Sequence, residues 1–358
     1  MKKKIAIAIS TLLLSSSAVA EVHISGFASV VGGKVLDGTG VEEFDLGPSF
    51  LADYPLVGVY EEEISFNPDT LFGLQFSADL MDGLSATAQV VSRGANDFSA
   101  DFEWAYISYE VNDNWTFQGG KKRLPLYYYS DFFDVGYAYT WIRPPADNYT
   151  WQVFNYTGVS ALYNYLVGEW TVSGQVYYGR EDSDDNKLLS EFFFLESTRE
   201  IWKDIGGIVV QFNREWLDIR LTHMQYTNER YIGDVQQVWD GSTERKGKFY
   251  GLSVNIDYEN FLLLTELNRL SLQGSDLDTY LVTLGYRIKD FTPYVSYSDF
   301  DDGEQGEVHN TTSFGVRWDF HPSAAFKLQY DDVEDNGGPG LKVAGDSQSI
   351  SFGIDLVF

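Results

Sequence analysis

Apolar and polar residues alternate along most of this chain. Phe72, Leu74, Phe76, Ala78 and Leu80 form one parity class, with Gln75, Ser77 and Asp79 between them. Tyr250, Leu252, Val254, Ile256 and Tyr258 repeat the pattern, as do Tyr280, Val282, Leu284, Tyr286 and Ile288. Period two puts the two classes on opposite faces of a strand. Read this way, the chain predicts strands over 22–31, 70–80, 84–93, 102–111, 115–122, 156–167, 170–179 and 204–213. It predicts eight more over 215–226, 248–258, 261–272, 277–288, 291–298, 311–320, 324–331 and 347–358.

The gaps between these segments are alternately short and long. Met81-Asp82-Gly83, Asn112-Asp113-Asn114, Gly168-Glu169, Arg214, Glu259-Asn260, Lys289-Asp290 and His321-Pro322-Ser323 read as seven tight turns. Eight longer loops interleave with them. A soluble sandwich gives no reason for such alternation, and no repeat of propeller length is visible. An even number of antiparallel strands, short turns at one end and long loops at the other describe a transmembrane β-barrel. The fold expected is therefore all-β: a transmembrane antiparallel barrel of sixteen strands, with short periplasmic turns and long extracellular loops. Aromatic residues at the ends of the apolar stripes fit two interfacial girdles. The opposite class, including Ser85, Thr87, Gln89, Ser253, Asn255, Ser349 and Ser351, is too polar for a core and predicts a water-filled lumen.

The start of the chain adds a destination. Lys2, Lys3 and Lys4 precede the apolar run IAIAISTLLL, and Ala18-Val19-Ala20 closes it. That is the pattern of a secretory signal peptide over 1–20, cleaved before Glu21. Residues 21–358 then form one barrel domain. Nothing later approaches about 20 consecutive apolar residues, so no helix spans a membrane. Removing the three leader lysines takes the formal charge from −28 to −31. Such acidity argues against nucleic acid, whose binding needs clustered Lys and Arg.

Three parts of the chain carry a family likeness. They are FNPDTLFGLQFSADLMDGLSATAQVVSRG at 66–94, the terminal aromatic Phe358, and RLPLYYYSDFFDVGYAYTWIRPPADNYTW at 123–151. With the sixteen-strand count, the mature chain resembles the general-porin superfamily of Gram-negative outer membranes. It is closest in character to porin-like proteins of marine gammaproteobacteria. The resemblance implies a passive diffusion channel in the outer membrane, a homotrimer, and contact with membrane lipid and lipopolysaccharide. It also implies that Phe358 serves as the signal read by the barrel-assembly machinery. In that superfamily the third external loop folds inward and narrows the pore, which makes 123–155 the constriction loop here. The short acidic-Gly signature of enterobacterial porins is absent from it. The residues themselves agree with inward folding, because Phe132, Phe133, Tyr137, Tyr139, Trp141 and Trp151 are too apolar to leave in water. A cap outside the barrel, or packing on a neighbouring subunit, are the alternatives.

Charges near the narrowest point set pore selectivity. Parity aims Arg93 and Lys122 inward, and Arg123 follows at the loop's start. Asp131, Asp134 and Asp147 are the loop's acids and Arg143 its base. These seven are the candidate constriction residues, with Arg220, Arg287 and Arg317 as further lumen charges; solvated charges or local ion pairs are the other reading of each. Acids crowd the predicted outer loops at Glu42, Glu43, Asp45, Glu61–Glu63, Glu181–Asp185, Asp299–Asp302 and Glu304. Oxygen ligands of this kind hold surface Ca²⁺ or Mg²⁺, although a solvated rim is the plainer expectation and no dedicated metal site or cofactor is expected. Four scattered His, no Cys, and no HExxH or GxSxG argue against an enzyme. Tyr127-Tyr128-Tyr129 leaves room for a substrate-specific sugar or anion channel as the alternative function.

Overall fold

The computed structural model describes residues 21–42, 46–273, 275–303, 306–338, 342 and 344–358. The leader over 1–20, Glu43, Asp45 and Glu304 lie outside the described residues. Sixteen antiparallel strands close into one barrel. They are β1 (Val22–Gly38), β2 (Leu71–Met81), β3 (Leu84–Arg93), β4 (Ala100–Glu110), β5 (Trp115–Arg123), β6 (Asn155–Val167), β7 (Trp170–Ser183) and β8 (Thr198–Arg214). The second half supplies β9 (Leu217–Ile232), β10 (Arg245–Tyr258), β11 (Phe261–Leu272), β12 (Ser275–Tyr286), β13 (Phe291–Asp301), β14 (Val308–His321), β15 (Ala324–Asp335) and β16 (Ser347–Val357).

Closure runs through β1. Its lower part pairs with β2 from Val22↔Ala78 to Ser29↔Leu71. Its upper part pairs with β16 from Phe27↔Val357 to Gly38↔Ser347. Phe358 adds one more exchange, its N–H donating to the Gly26 carbonyl and its carbonyl accepting from the Gly26 N–H. The barrel therefore has no free edge, which is what lipid demands of a spanning sheet.

Strands run longer than periodicity alone predicts at the long-loop end. β8 begins at Thr198 and β9 ends at Ile232, because their upper parts continue to pair beyond the apolar belt. The alternation of loop length has one exception: only residues 273–274 separate β11 from β12. The first loop carries its own small hairpin, Phe50–Asp53 with Gly58–Tyr60.

The outer face is apolar, with aromatic rows at both margins. Phe261 packs edge-on against Tyr286, and Phe291 stacks on Trp318, at the short-turn margin. Tyr280 beside Tyr297 and His223 on Tyr250 mark the other margin. Tyr250 and Tyr258 are eight residues apart on β10. A rise of about 3.3 Å per residue and a tilt near 40° put the two rings roughly 20 Å apart, just inside the apolar band of about 25 Å that membrane barrels present to lipid.

The inner face uses glycine for packing. Inward rings lie flat across a glycine on the adjacent strand: Phe27 over Gly73, Tyr177 over Gly207, Tyr226 over Gly247 and Tyr294 over Gly315. A Cβ at Gly247 would sit 2.3 Å from the Tyr226 ring, which in turn stacks on Trp202 at 3.8 Å. The missing side chain is what lets the rings hug the wall. Gly247→Leu is therefore expected to destabilise the barrel by about 1–3 kcal/mol through overpacking. The check is the urea midpoint of the heat-modifiable gel shift. Gly174→Leu, where nothing lies within 4 Å of a Cβ, leaves that midpoint in place.

Candidate functional site

The third loop, residues 124–154 between β5 and β6, enters the barrel and crosses it. Its sequence explains the path. Leu124, Leu126, Tyr127, Tyr149, Trp151 and Val153 are buried against inward residues of the wall, among them Trp202, Met224, Tyr226 and Phe249. Farther along, Tyr139 and Trp141 pack on Leu262, Leu264, Leu281 and Tyr294. The inner wall of β6 to β13 is thus apolar where the loop lies on it. The lumen is narrower than its polar parity class implies, because the loop supplies a core that the wall alone lacks.

Polar side chains of the wall hold the loop backbone. Lys327, fully buried, donates to the carbonyls of Gly136 and Trp141 at 2.7 and 2.5 Å and pairs with Asp355 at 2.9 Å. Arg317 donates to the carbonyls of Tyr137 and Tyr139, both at 2.8 Å. Arg220 donates to the Pro125 carbonyl at 2.9 Å. Gln329 accepts from the Ile142 N–H, and Glu266 accepts from the Tyr128 N–H and the Tyr149 hydroxyl. A buried backbone group without a partner costs about as much as a lost hydrogen bond. These side chains remove that cost along a segment with little regular structure of its own.

Two charge clusters pin the loop sideways. In the first, Arg93 and Arg123 each contact both Glu103 and Asp134, at 2.6 to 2.9 Å. In the second, Arg143 pairs with Asp69 at 2.6 Å and Asp331 at 3.3 Å, and donates to Ser351. Burial alone disfavours the Arg143 cation, but these carboxylates hold its proton affinity well above the usual value. Asp147 accepts from Ser298 at 2.5 Å and lies 2.6 Å from His309 Nδ1. Near the first cluster, burial pushes the Asp53 carboxyl in the first loop up to about 6, against the Leu56 N–H that favours its charge.

The seven candidate constriction residues therefore separate into two groups. Arg123, Asp134 and Arg143 are buried in the two clusters, Asp147 is buried against Ser298 and His309, and Arg93 joins the first cluster with part of its side chain exposed. Asp131 is exposed, while Lys122 is half-buried, bonds to Gln118 and lies over the Tyr106 ring. Asp131 is near enough to act through its field on Lys122, Tyr106 and Tyr156. The half-exposed inner wall there comprises Gln75, Ser77, Thr87, Tyr106 and Gln118, with the exposed ring of Phe132 on the loop. On this side the inner wall along β2 to β5 is not buried under the loop. A vestibule of about 430 Å³ lies at the long-loop end beside Asp53, Lys121 and Phe133, and one of about 400 Å³ at the short-turn end beside Tyr128, Asp218 and Asp257. Of the further lumen charges, Arg287 pairs with Asp257 and Arg317 with Asp319 at the short-turn end, while Arg220 is buried under the loop.

Several residues of these clusters escape reading by parity. Plain alternation places Glu103 with Ala105, Ile107 and Tyr109, which face out. A β-bulge, with Gln89 opposite Trp104 and Val90 opposite Phe102, turns Glu103 inward instead. Asp69 lies in the first loop, where periodicity says nothing. Lys327, Gln329 and Asp331 do share one parity class, and that shared class was the available signal for them.

No protein-family model matches the chain, and no curated protein sequence does. Solved structures do. The chain aligns over 95% of its length with 98% of OmpF from Salmonella typhi, solved in complex with daunomycin, at 12% identity and a TM-score of 0.63. It covers 99% of the outer membrane channel DcaP of Acinetobacter baumannii over 96% of its own length, at 11% identity and TM-score 0.62. An anion-selective porin from Comamonas acidovorans is covered completely by 95% of the chain, at 14% identity and TM-score 0.57. The fold is porin-like.

Removing Asp134 leaves two buried guanidinium groups on one carboxylate. Asp134→Ala is expected to cost about 3–5 kcal/mol of loop docking. Limited proteolysis reads this as faster cleavage within 124–154 while the barrel keeps its heat-modifiable mobility. Asp131→Ala, at an exposed position, leaves the cleavage rate unchanged.

Proposed function

We propose that this protein is an outer-membrane channel of a Gram-negative bacterium for passive diffusion of small hydrophilic solutes and ions. The observation that supports it best is the half-exposed polar inner wall beside Lys122 and Asp131, with an apolar belt outside. On this reading 1–20 is a cleaved signal peptide and the long loops face outward from the cell. The chain works as a homotrimer of general-porin type, kin to porin-like proteins of marine gammaproteobacteria, in contact with membrane lipid and lipopolysaccharide. The carboxylates of the outer loops form a solvated, cation-attracting rim at that surface.

The channel is mildly cation-preferring. The ion pairs of the loop largely cancel its charges, so the acidic rim and the few unpaired charges decide. Planar-bilayer recordings under a salt gradient test this. Stepwise conductance is expected, with a reversal potential favouring cations. Asp131→Asn shifts that potential toward anions and Lys122→Gln shifts it the other way. Absence of conductance sinks the channel reading, and an unmoved potential in both variants removes these two residues from the constriction.

The tightness of the loop favours a second reading, a substrate-specific channel for a sugar or anion. An enzyme is not proposed. The buried His–Asp pair, His309 with Asp147, has its Ser298 neighbour donating to the carboxylate and not to the imidazole, and Nε2 lies 3.5 Å from Glu307. That arrangement anchors the loop and leaves no activated nucleophile.

Phe358 is proposed as the assembly signal. Its ring lies over Gly26 yet is 72% exposed. Deleting Phe358 is expected to cut outer-membrane yield several-fold, read by immunoblot of membrane fractions. A yield equal to that of a single-residue deletion in an outer loop refutes the role.

A further inference from the structure

A second cavity opens at the long-loop end, apart from the wall beside Asp131. It holds about 510 Å³ and lies between the third, fourth, fifth and seventh loops. Its size is that of a small-molecule site. Phe193 and Phe194 form one wall, Trp239 and Arg245 another, and Leu272 and Leu277 a third. The floor is the apolar cluster around Trp151, Trp202 and Tyr226.

One cation in this cavity lacks a counter-charge. Arg230 is held by Glu200 at 2.7 Å, with a second contact at 3.2 Å. Arg245, beside it, donates through Nε to the amide oxygen of Asn228 at 2.8 Å. Among the described residues no carboxylate oxygen lies within 4.0 Å of its guanidinium. The group lies 4.6 Å over the Trp239 ring, which fixes its plane and covers one face. Nearby, the side-chain oxygen of Gln237 is buried without a partner among the described residues. Across the cavity stand Asp302 and Glu307, the latter occupied by the Tyr54 hydroxyl and His309.

From these we infer that the cavity binds a ring-bearing monocarboxylate, its carboxylate forked on Arg245 and its ring between Trp239, the two phenylalanines and the leucines. A planar guanidinium with free N–H groups matches a carboxylate bidentately, and does so most strongly where water is displaced. The aromatic and aliphatic walls take the ring. The acids on the far wall repel a second anionic group, so one carboxylate is accepted and two are not. The site depends on the fold and not on the channel reading, since binding needs no open passage.

The test is calorimetric titration of the full chain in detergent, with benzoate and galacturonate as the two sources of this chemistry. Benzyl alcohol and galactose serve as neutral counterparts, and phthalate as the dianion. Saturable binding of at least one monocarboxylate is expected, at least tenfold tighter than its neutral counterpart and than phthalate. Arg245→Gln weakens it at least tenfold, and Arg245→Lys by less. Trp239→Phe, which keeps an aromatic wall, retains binding. Heat-modifiable mobility checks that each variant is folded; should Arg245→Gln misfold, the lysine variant and the neutral ligands decide. Equal binding of neutral rings, wild-type affinity in Arg245→Gln, or no saturation by either acid up to about 10 mM overturns the proposal.

Discussion

Every spanning strand of this chain must satisfy its backbone within the sheet, because hydrocarbon offers no partner. The pairing of β1 with both β2 and β16 meets that demand by closing the ring. Once the ring is closed, side-chain direction is no longer negotiable. Each residue faces lipid or lumen by parity, and only a bulge changes the assignment. The apolar belt, the aromatic margins and the inward polar class all follow from this.

The same constraint reappears inside the barrel. Residues 124–154 carry a backbone whose own hydrogen bonds are turn-like and incomplete through a space partly sealed from water. The wall answers with long side chains: Lys327, Arg317 and Arg220 for carbonyls, Gln329 and Glu266 for N–H groups. Burying such cations is costly unless they are paired. Asp355 sits on Lys327, and Asp69 with Asp331 on Arg143, so the anchors come as neutralised sets. Apolar packing carries the loop along β6 to β13, and ionic anchors hold it where it turns away. Of the two, packing supplies most of the affinity, since buried ion pairs roughly break even and chiefly fix position.

Period two is an unusually direct signal, and the fold was legible for that reason. The sixteen strands, the tight turns from Met81 to Ser323 and the inward loop all appear in the alternation and in the aromatic content of 123–151. Legibility failed where geometry is not periodic. Glu103 depends on a bulge, Asp69 on the path of the first loop, and the short β11–β12 connection on strand pairing that continues above the belt. Heights were also invisible. Parity aims Arg93 and Lys122 at the same lumen, yet one lies in a four-membered ion cluster and the other, half-buried, bonds to Gln118 over the Tyr106 ring. A side chain's face is a local property; its partner is a tertiary one.

The distribution of charge carries the last step. A formal charge of −28 suggests a strongly negative field everywhere. Within the barrel the opposite holds locally, because most cations and acids cancel in pairs a few ångströms apart. Rim carboxylates are screened over about 8–10 Å at physiological salt. Asp131 and Lys122 beside the β2 to β5 wall, and Arg245 in the outer cavity, form no ion pair among the described residues, so on the proposed channel reading they act directly on an ion or ligand that reaches them. Such unpaired groups are costly to keep near a low-dielectric wall. Their cost is low only where water or a ligand completes their bonding, which makes exposure to the aqueous path the physical condition for their presence. The net charge therefore governs solubility and long-range attraction, whereas on the proposed channel reading selectivity belongs to such groups beside the aqueous path.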